Sequence, residues 1–152
     1  MALPSQQITL NSQVCFPLYV STKEVIRQYS TKLAQFDLTY TQYIVMLVLW
    51  EKKEIAFAEL AKKVYLDSGT LTPLLKKLEI KGFINRTRST LDERKVILSL
   101  TDKGAALYDR VAQIPSDIRM NIDISKEDLA ELREIIERLM DKVMDSRNKE
   151  ES

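Results

Sequence analysis

From Asp67 to Lys81 the apolar positions Leu71, Leu74, Leu75 and Leu78 recur at the three-and-four spacing of one buried helical stripe. Thr70, Thr72, Pro73, Lys76 and Lys77 are left on the outward face. Asp67 or Ser68 caps the start, Thr70 to Pro73 fall in the first turns where proline is tolerated, and Gly82 supplies the left-handed residue that stops the helix. Beyond Gly82 the period changes. Ile84–Arg88 and Lys95–Leu100 are strand-like runs rich in branched residues, separated by the polar stretch Ser89–Arg94. They predict a hairpin with Arg86, Arg88, Arg94 and Lys95 on a projecting ribbon. Asp92 stands close enough to hold Arg94 extended through a charge-assisted bond, a pose suited to a minor groove. Taken alone the ribbon reads as a solvated loop; beside the amphipathic helix it reads as the wing of a DNA-reading winged helix.

The flanking pattern completes the module. Residues Met1 to Asn11 lack periodicity and predict a loose arm. A long amphipathic helix follows, with Val14, Leu18, Tyr19, Val25, Ile26, Tyr29, Leu33 and Phe36, more apolar positions than the surface helix of an isolated subunit needs. Thr39 and Gln42 form a capping box that opens a hydrophobic helix over Thr41–Trp50, and Glu54–Ala56 adds a brief strand. Phe57–Val64 is a short helix that makes a helix-turn-helix with Asp67–Lys81. After the hairpin, Thr101 caps a helix running past Tyr108 and Val111 and disturbed at Pro115. Ser125 with Asp128 opens a last helix through Leu129, Leu132, Ile135, Ile136, Leu139, Met140 and Val143.

The expected fold class is therefore mainly α with a small β wing, a winged helix-turn-helix. Residues 1–152 form one domain, with 39–100 as the DNA-binding core and 12–36 and 101–149 as dimerisation helices. Wide apolar stripes at both ends predict a homodimer through the N- and C-terminal helices, reading related half-sites about one duplex turn apart.

Charge alters this picture only through its distribution. The chain carries 23 basic and 22 acidic residues, a net +1. From Lys62 to Lys95, however, nine Lys or Arg face four acids, whereas Asp123 to Ser152 holds six basic and ten acidic residues. Positive potential therefore gathers on the reading helix and wing, and double-stranded DNA is the expected partner. With 152 residues, 45% hydrophobic, the chain can bury a sizeable core. No apolar run is long enough to span a bilayer and no basic-then-apolar leader is present, so a cytoplasmic location is expected, without membrane partners. A single cysteine forbids an internal disulfide, and with no histidine no metal site or cofactor is expected.

Specific words along the chain carry a family resemblance. Val14-Cys15-Phe16-Pro17-Leu18-Tyr19, Leu38-Thr39-Tyr40-Thr41-Gln42-Tyr43, the run from Tyr65 to Leu78 and Asp92-Glu93-Arg94 resemble the MarR-family transcriptional regulators. More narrowly they resemble the organic hydroperoxide resistance repressors of the one-cysteine type, over Gln13 to Thr101 with a looser C-terminal helix. The resemblance implies that Cys15 is a peroxide-sensing thiol, that Tyr19 and Tyr29 hydrogen-bond it, and that oxidation releases palindromic operator DNA. Resemblance and helix geometry together assign DNA contact to Ser68, Thr70, Thr72, Lys76 and Lys77 on the reader and to Arg86, Arg88 and Arg94, with Asp92 as support, on the wing.

The chemistry of Cys15 also follows from its position. A lone cysteine is usually a packing residue. Cys15 stands where the first helix begins, and with Pro17 early in that helix the positive helix end favours the nucleophilic thiolate. Tyr19, four residues on, shares its face, and its hydroxyl can donate to the thiolate, although core packing alone also explains a tyrosine there. Tyr29 lies fourteen residues after Cys15, close to the same face but roughly 21 Å along the axis. Only an antiparallel crossing of two first helices brings them together. No second cysteine can resolve a sulfenic acid, so organic hydroperoxide and a small outside thiol are the expected effectors.

Three other functions compete. A thiol peroxidase lacks a histidine, a resolving cysteine and strand-helix alternation, so the chain is expected not to be an enzyme. A regulator of the same family answering a non-redox small molecule is the nearer alternative. A helical protein-interaction module leaves the basic wing without a purpose.

Overall fold

In a computed structural model of the chain, residues 8–150 are described. The expected arm at Met1–Asn11 falls mostly outside them; Leu10–Ser12 form one 3-10 turn. The chain divides into two compact units, one through Ile114 and one from Pro115.

The first unit begins with α1 (Cys15–Leu33), extended by a 3-10 turn at Ala34–Phe36 and ended by Asp37 in the left-handed conformation. Helix α2 (Tyr40–Lys52) follows. Its capping box forms as expected: the Thr39 hydroxyl accepts the Gln42 amide at 3.2 Å and the Gln42 side chain accepts the Thr39 amide at 3.1 Å. The helix starts one residue earlier than the apolar pattern suggests, because the cap sits at Thr39 and hydrophobicity does not set the boundary. Tyr43, Val45, Met46, Val48, Leu49 and Trp50 are all buried, which makes α2 the central helix of the core.

Strand β1 (Glu54–Ala56), α3 (Phe57–Val64) and α4 (Ser68–Ile80) form the helix-turn-helix, and β2 (Ile84–Arg88) with β3 (Val96–Leu100) form the wing. The three strands are antiparallel in the order β1-β3-β2. Ile55 pairs with Leu98 and Ile84 with Leu100, so Ile55, Ile84 and Leu98 enter the core. Leu71, Leu74, Leu75 and Leu78 of α4 are buried as their spacing predicts, and Gly82 at φ 76° ends the segment. Pro73 lies inside α4, deeper than a first-turn position, where it removes one helical hydrogen bond on the exposed face.

The wing is fastened at its base. Thr101 donates its amide to the Phe83 carbonyl at 3.1 Å and its hydroxyl to the Gly82 carbonyl at 2.6 Å, then caps α5 (Asp102–Val111) through the Gly104 amide at 2.9 Å. Lys81 reaches back to the carbonyl of Asp37 and to Gln42 Oε1 at 3.2 Å, tying the end of α4 to the α1–α2 turn.

A break precedes Pro115, which then falls in the first turn of α6 (Ile114–Ile122), where a missing amide donor costs nothing. In the second unit α7 (Lys126–Glu150) opens as expected, with the Ser125 hydroxyl accepting the Asp128 amide at 2.9 Å. Leu129, Leu132, Ile136, Leu139 and Val143 make an exposed apolar row along it.

Candidate nucleic-acid interface and thiol site

Asp67 builds the start of the reader. Its carboxylate accepts the Thr70 amide at 2.9 Å and the Thr70 hydroxyl at 3.1 Å. These bonds favour the anion and lower the Asp67 pKa below its ordinary value. The Thr70 hydroxyl is thus engaged by its own cap, while Ser68, Thr72, Lys76 and Lys77 stand exposed on the outward face.

The tip of the wing is closed by its own polar side chains. Ser89 donates its amide to the Lys95 carbonyl and Lys95 its amide to the Asp92 carbonyl, both at 2.9 Å, while the Ser89 hydroxyl accepts the Leu91 amide at 3.2 Å. Asp92 does support Arg94, but by a different bond from the one expected. Its carboxylate accepts the Arg94 backbone amide at 3.1 Å and faces the Lys95 ammonium at 4.0 Å, so the guanidinium is left exposed. A two-residue separation brings the amide within reach of the short aspartate arm more easily than the end of a long side chain.

Arg86 departs from the expected projecting position. Its side chain is 25% exposed, lies 3.9 Å from Glu79 of α4, and its buried Nε has no hydrogen-bond partner. Strand alternation explains this: Arg86 pairs with the core residue Leu98 and faces inward with Ile84. Arg88 and Arg94 remain exposed.

Cys15 is the first residue of α1 and is exposed. With Leu18, Tyr19, Thr22, Lys23 and Ile26 it lines a shallow groove of about 410 Å³, so the shared face of Cys15 and Tyr19 exists as the spacing predicts. No hydrogen bond joins the two among the described residues. Val14 is 80% and Tyr19 63% exposed, and Phe16, Leu18 and Val20 add to an uncovered apolar surface on this helix.

Tyr29 is held elsewhere in the same chain. Its ring lies 5.1 Å from Tyr40 and 5.7 Å from Tyr43, and Tyr43 continues to Trp50 at 6.2 Å. Burial first, then the neighbouring Tyr40, raises the Tyr29 pKa; burial raises Tyr40 as well. Tyr43 is pushed up to about 12 by burial and by Tyr29, Tyr40 and Tyr108 around it. Sequence reasoning missed Tyr40 and Tyr43 as neighbours of Tyr29; their i,i+3 spacing was visible, but the pairing of α1 with α2 that brings the rings together was not.

A helix-turn-helix with a capped reader, a fastened two-stranded wing and basic residues on the free face of both defines a winged helix-turn-helix protein. Residues 27–111 match the family of transcriptional regulators SarA/Rot. The chain is 42% identical over 134 residues to the HTH-type transcriptional regulator SarZ of Staphylococcus saprophyticus, covering 88% of this chain and 92% of that one. It is also 42% identical over 132 residues to the organic hydroperoxide resistance transcriptional regulator of Bacillus subtilis, covering 87% and 90%. Among solved structures, reduced AbfR bound to DNA superimposes with a TM-score of 0.80 at 32% identity, over 93% of this chain and 97% of that one. The chain belongs to the SarA/Rot family of transcriptional regulators, MarR-like winged-helix proteins.

Proposed function

We propose that this regulator is a peroxide-sensing repressor that binds palindromic operator DNA as a reduced homodimer and leaves it when organic hydroperoxide oxidises Cys15. The observation that carries the reading is an exposed cysteine at the head of α1, beside Tyr19 in an apolar groove, in a chain that also presents a basic reader and wing. Its similarity to an organic hydroperoxide resistance transcriptional regulator and to reduced AbfR bound to DNA supports the reading. It acts in the cytoplasm, as a regulator and not by turnover.

The uncovered apolar rows on α1 and α7 support pairing with a second copy. With two α1 helices crossing antiparallel, Tyr29 of the partner subunit approaches Cys15, bridging the span of about 21 Å that separates them within one chain. The Cys15 thiolate attacks the distal peroxide oxygen; the O–O bond breaks, the hydroperoxide is reduced to its alcohol, and Cys15 becomes a sulfenic acid. A small thiol then forms a mixed disulfide and releases water, while excess oxidant carries Cys15 to sulfinic or sulfonic acid. Bulk or charge at the seam shifts the two readers out of half-site register. On the DNA, Ser68, Thr70 and Thr72 meet base edges, Lys76, Lys77 and Arg88 meet phosphates, and Arg94, on a wing tip whose backbone Asp92 holds, enters the minor groove.

The deciding experiment titrates duplex DNA with reduced protein, then with protein treated with an organic hydroperoxide and a small thiol, beside Cys15→Ser. Release of the wild type and retention by Cys15→Ser support the reading. Equal release of both proteins favours a non-redox ligand, and equal affinity for operator and scrambled duplex excludes sequence-specific repression.

A further inference from the structure

We propose that the groove between α3 and the tip end of β3 in the wing seats a backbone phosphate of the bound duplex, held by Lys62 and Lys95; the inference rests on the DNA-binding reading above. The groove measures about 470 Å³, with Phe57, Glu59 and Lys62 on the α3 side and Arg94, Lys95 and Val96 on the wing side. Its two walls are fixed to each other, because Ala56 at the start of α3 pairs with Ile97 of β3 in the sheet. It is therefore a preformed recess and not a gap between independent segments.

The cations around it are short of anions. Lys63 forms an ion pair with Glu51 at 3.6 Å, whereas its neighbour Lys62 has no carboxylate partner among the described residues and lines the groove instead. Arg94 likewise has no carboxylate partner, and Lys95 has only Asp92 at 4.0 Å. Glu59, on the same rim, pairs with none of them within 4.0 Å. Three cations thus surround one carboxylate in a recess whose remaining walls are apolar: Ala56, Phe57, Ala58 and Val96. A DNA strand offers the complement of both features, an anionic phosphate for the lysines and a deoxyribose face for Phe57 and Val96; inorganic phosphate offers only the first. The recess also adjoins Arg94, so a strand whose minor groove receives that arginine passes directly by it.

The test uses the reduced full chain, a palindromic duplex selected from a random pool, and a scrambled duplex of equal composition, with binding followed over a range of salt. Lys62→Ala is expected to weaken binding to both duplexes by the same factor and to reduce the slope of log affinity against log salt by about one. Lys62→Ala with Lys95→Ala should reduce it by about two, Lys63→Ala should leave it unchanged, and Glu59→Gln should tighten both complexes. Inorganic phosphate at matched ionic strength should not compete. An unchanged slope in Lys62→Ala overturns the proposal, as does weakened binding at unchanged slope with a lowered melting temperature, which would mark a structural role. A wild type with no salt-dependent duplex affinity defeats the DNA-binding reading itself, a result distinct from either.

Discussion

The indole Nε1 of Trp50 donates to the backbone carbonyl of Gly104 at 2.8 Å, a buried bond from α2 to the first turn of α5. Gly104 is equally constrained on its other side, where an added Cβ would stand 2.1 Å from the Phe83 carbonyl oxygen. One glycine thus locks the central helix, the start of the wing and α5 together. Gly104→Ala must push β2 away from α5, and overpacking of this kind costs about 1–3 kcal/mol. Urea unfolding should show a lower midpoint at an unchanged m-value, and a wild-type midpoint would show that the wing base yields freely.

The proposed sensor separates two tyrosines. Tyr29→Phe should alter the hydroperoxide dose that releases DNA while leaving reduced-state affinity within about twofold, since its ring packing on Tyr40 and Tyr43 survives the change. Anisotropy titrations with increasing hydroperoxide measure this, and an unaltered dose response removes Tyr29 from the site.

The two inner and outer wing arginines should differ. Arg94→Ala is expected to weaken operator binding, because its guanidinium is exposed at the wing tip, whose backbone Asp92 fixes through the Arg94 amide. Arg86→Met should bind with near wild-type affinity and fold at least as stably, since it replaces a buried, unpartnered Nε by an apolar atom. Loss of operator affinity in Arg86→Met would return Arg86 to the DNA-contacting set.

Acid should act on the reader through its cap. The folded-state pKa of Asp67 is lowered, so its contribution to stability is present above the unfolded carboxylate value and is lost as pH falls through the folded one. Asp67→Ala should be less stable than the wild type at neutral pH, and the gap in denaturation midpoint should narrow as pH falls below the ordinary carboxylate range. A gap that stays constant with pH would mean the charge plays no part.

Alkali should act through the tyrosine cluster. The Tyr43 pKa is raised from 10.0 to about 12, so the fold's advantage is complete below pH 10 and falls as pH rises toward 12. Spectrophotometric titration should show a late-ionising phenolate that Tyr43→Phe abolishes, with the rest of the curve preserved.

Local order could be read directly from the chain, because it depends on neighbours in sequence. The leucine stripe of α4, the Thr39–Gln42 box, the Asp67 and Thr101 caps and the left-handed Gly82 all involve residues a few positions apart, and each forms as the pattern requires. The strand runs were legible as well, but Arg86 shows the limit: Arg86 and Arg88 share the face of Ile84 by alternation, and the pattern did not say how far along β2 that face stays covered by the body of the domain. The sequence placed Cys15 and Tyr19 on one helical face by spacing alone. Only the tertiary structure decided that Tyr29 stacks on Tyr40 and Tyr43, that Gly104 must lack a side chain, and that Lys62 meets the wing across a groove. Those relationships join residues far apart along the chain, and helical period and capping chemistry carry no information about which distant surfaces close on each other.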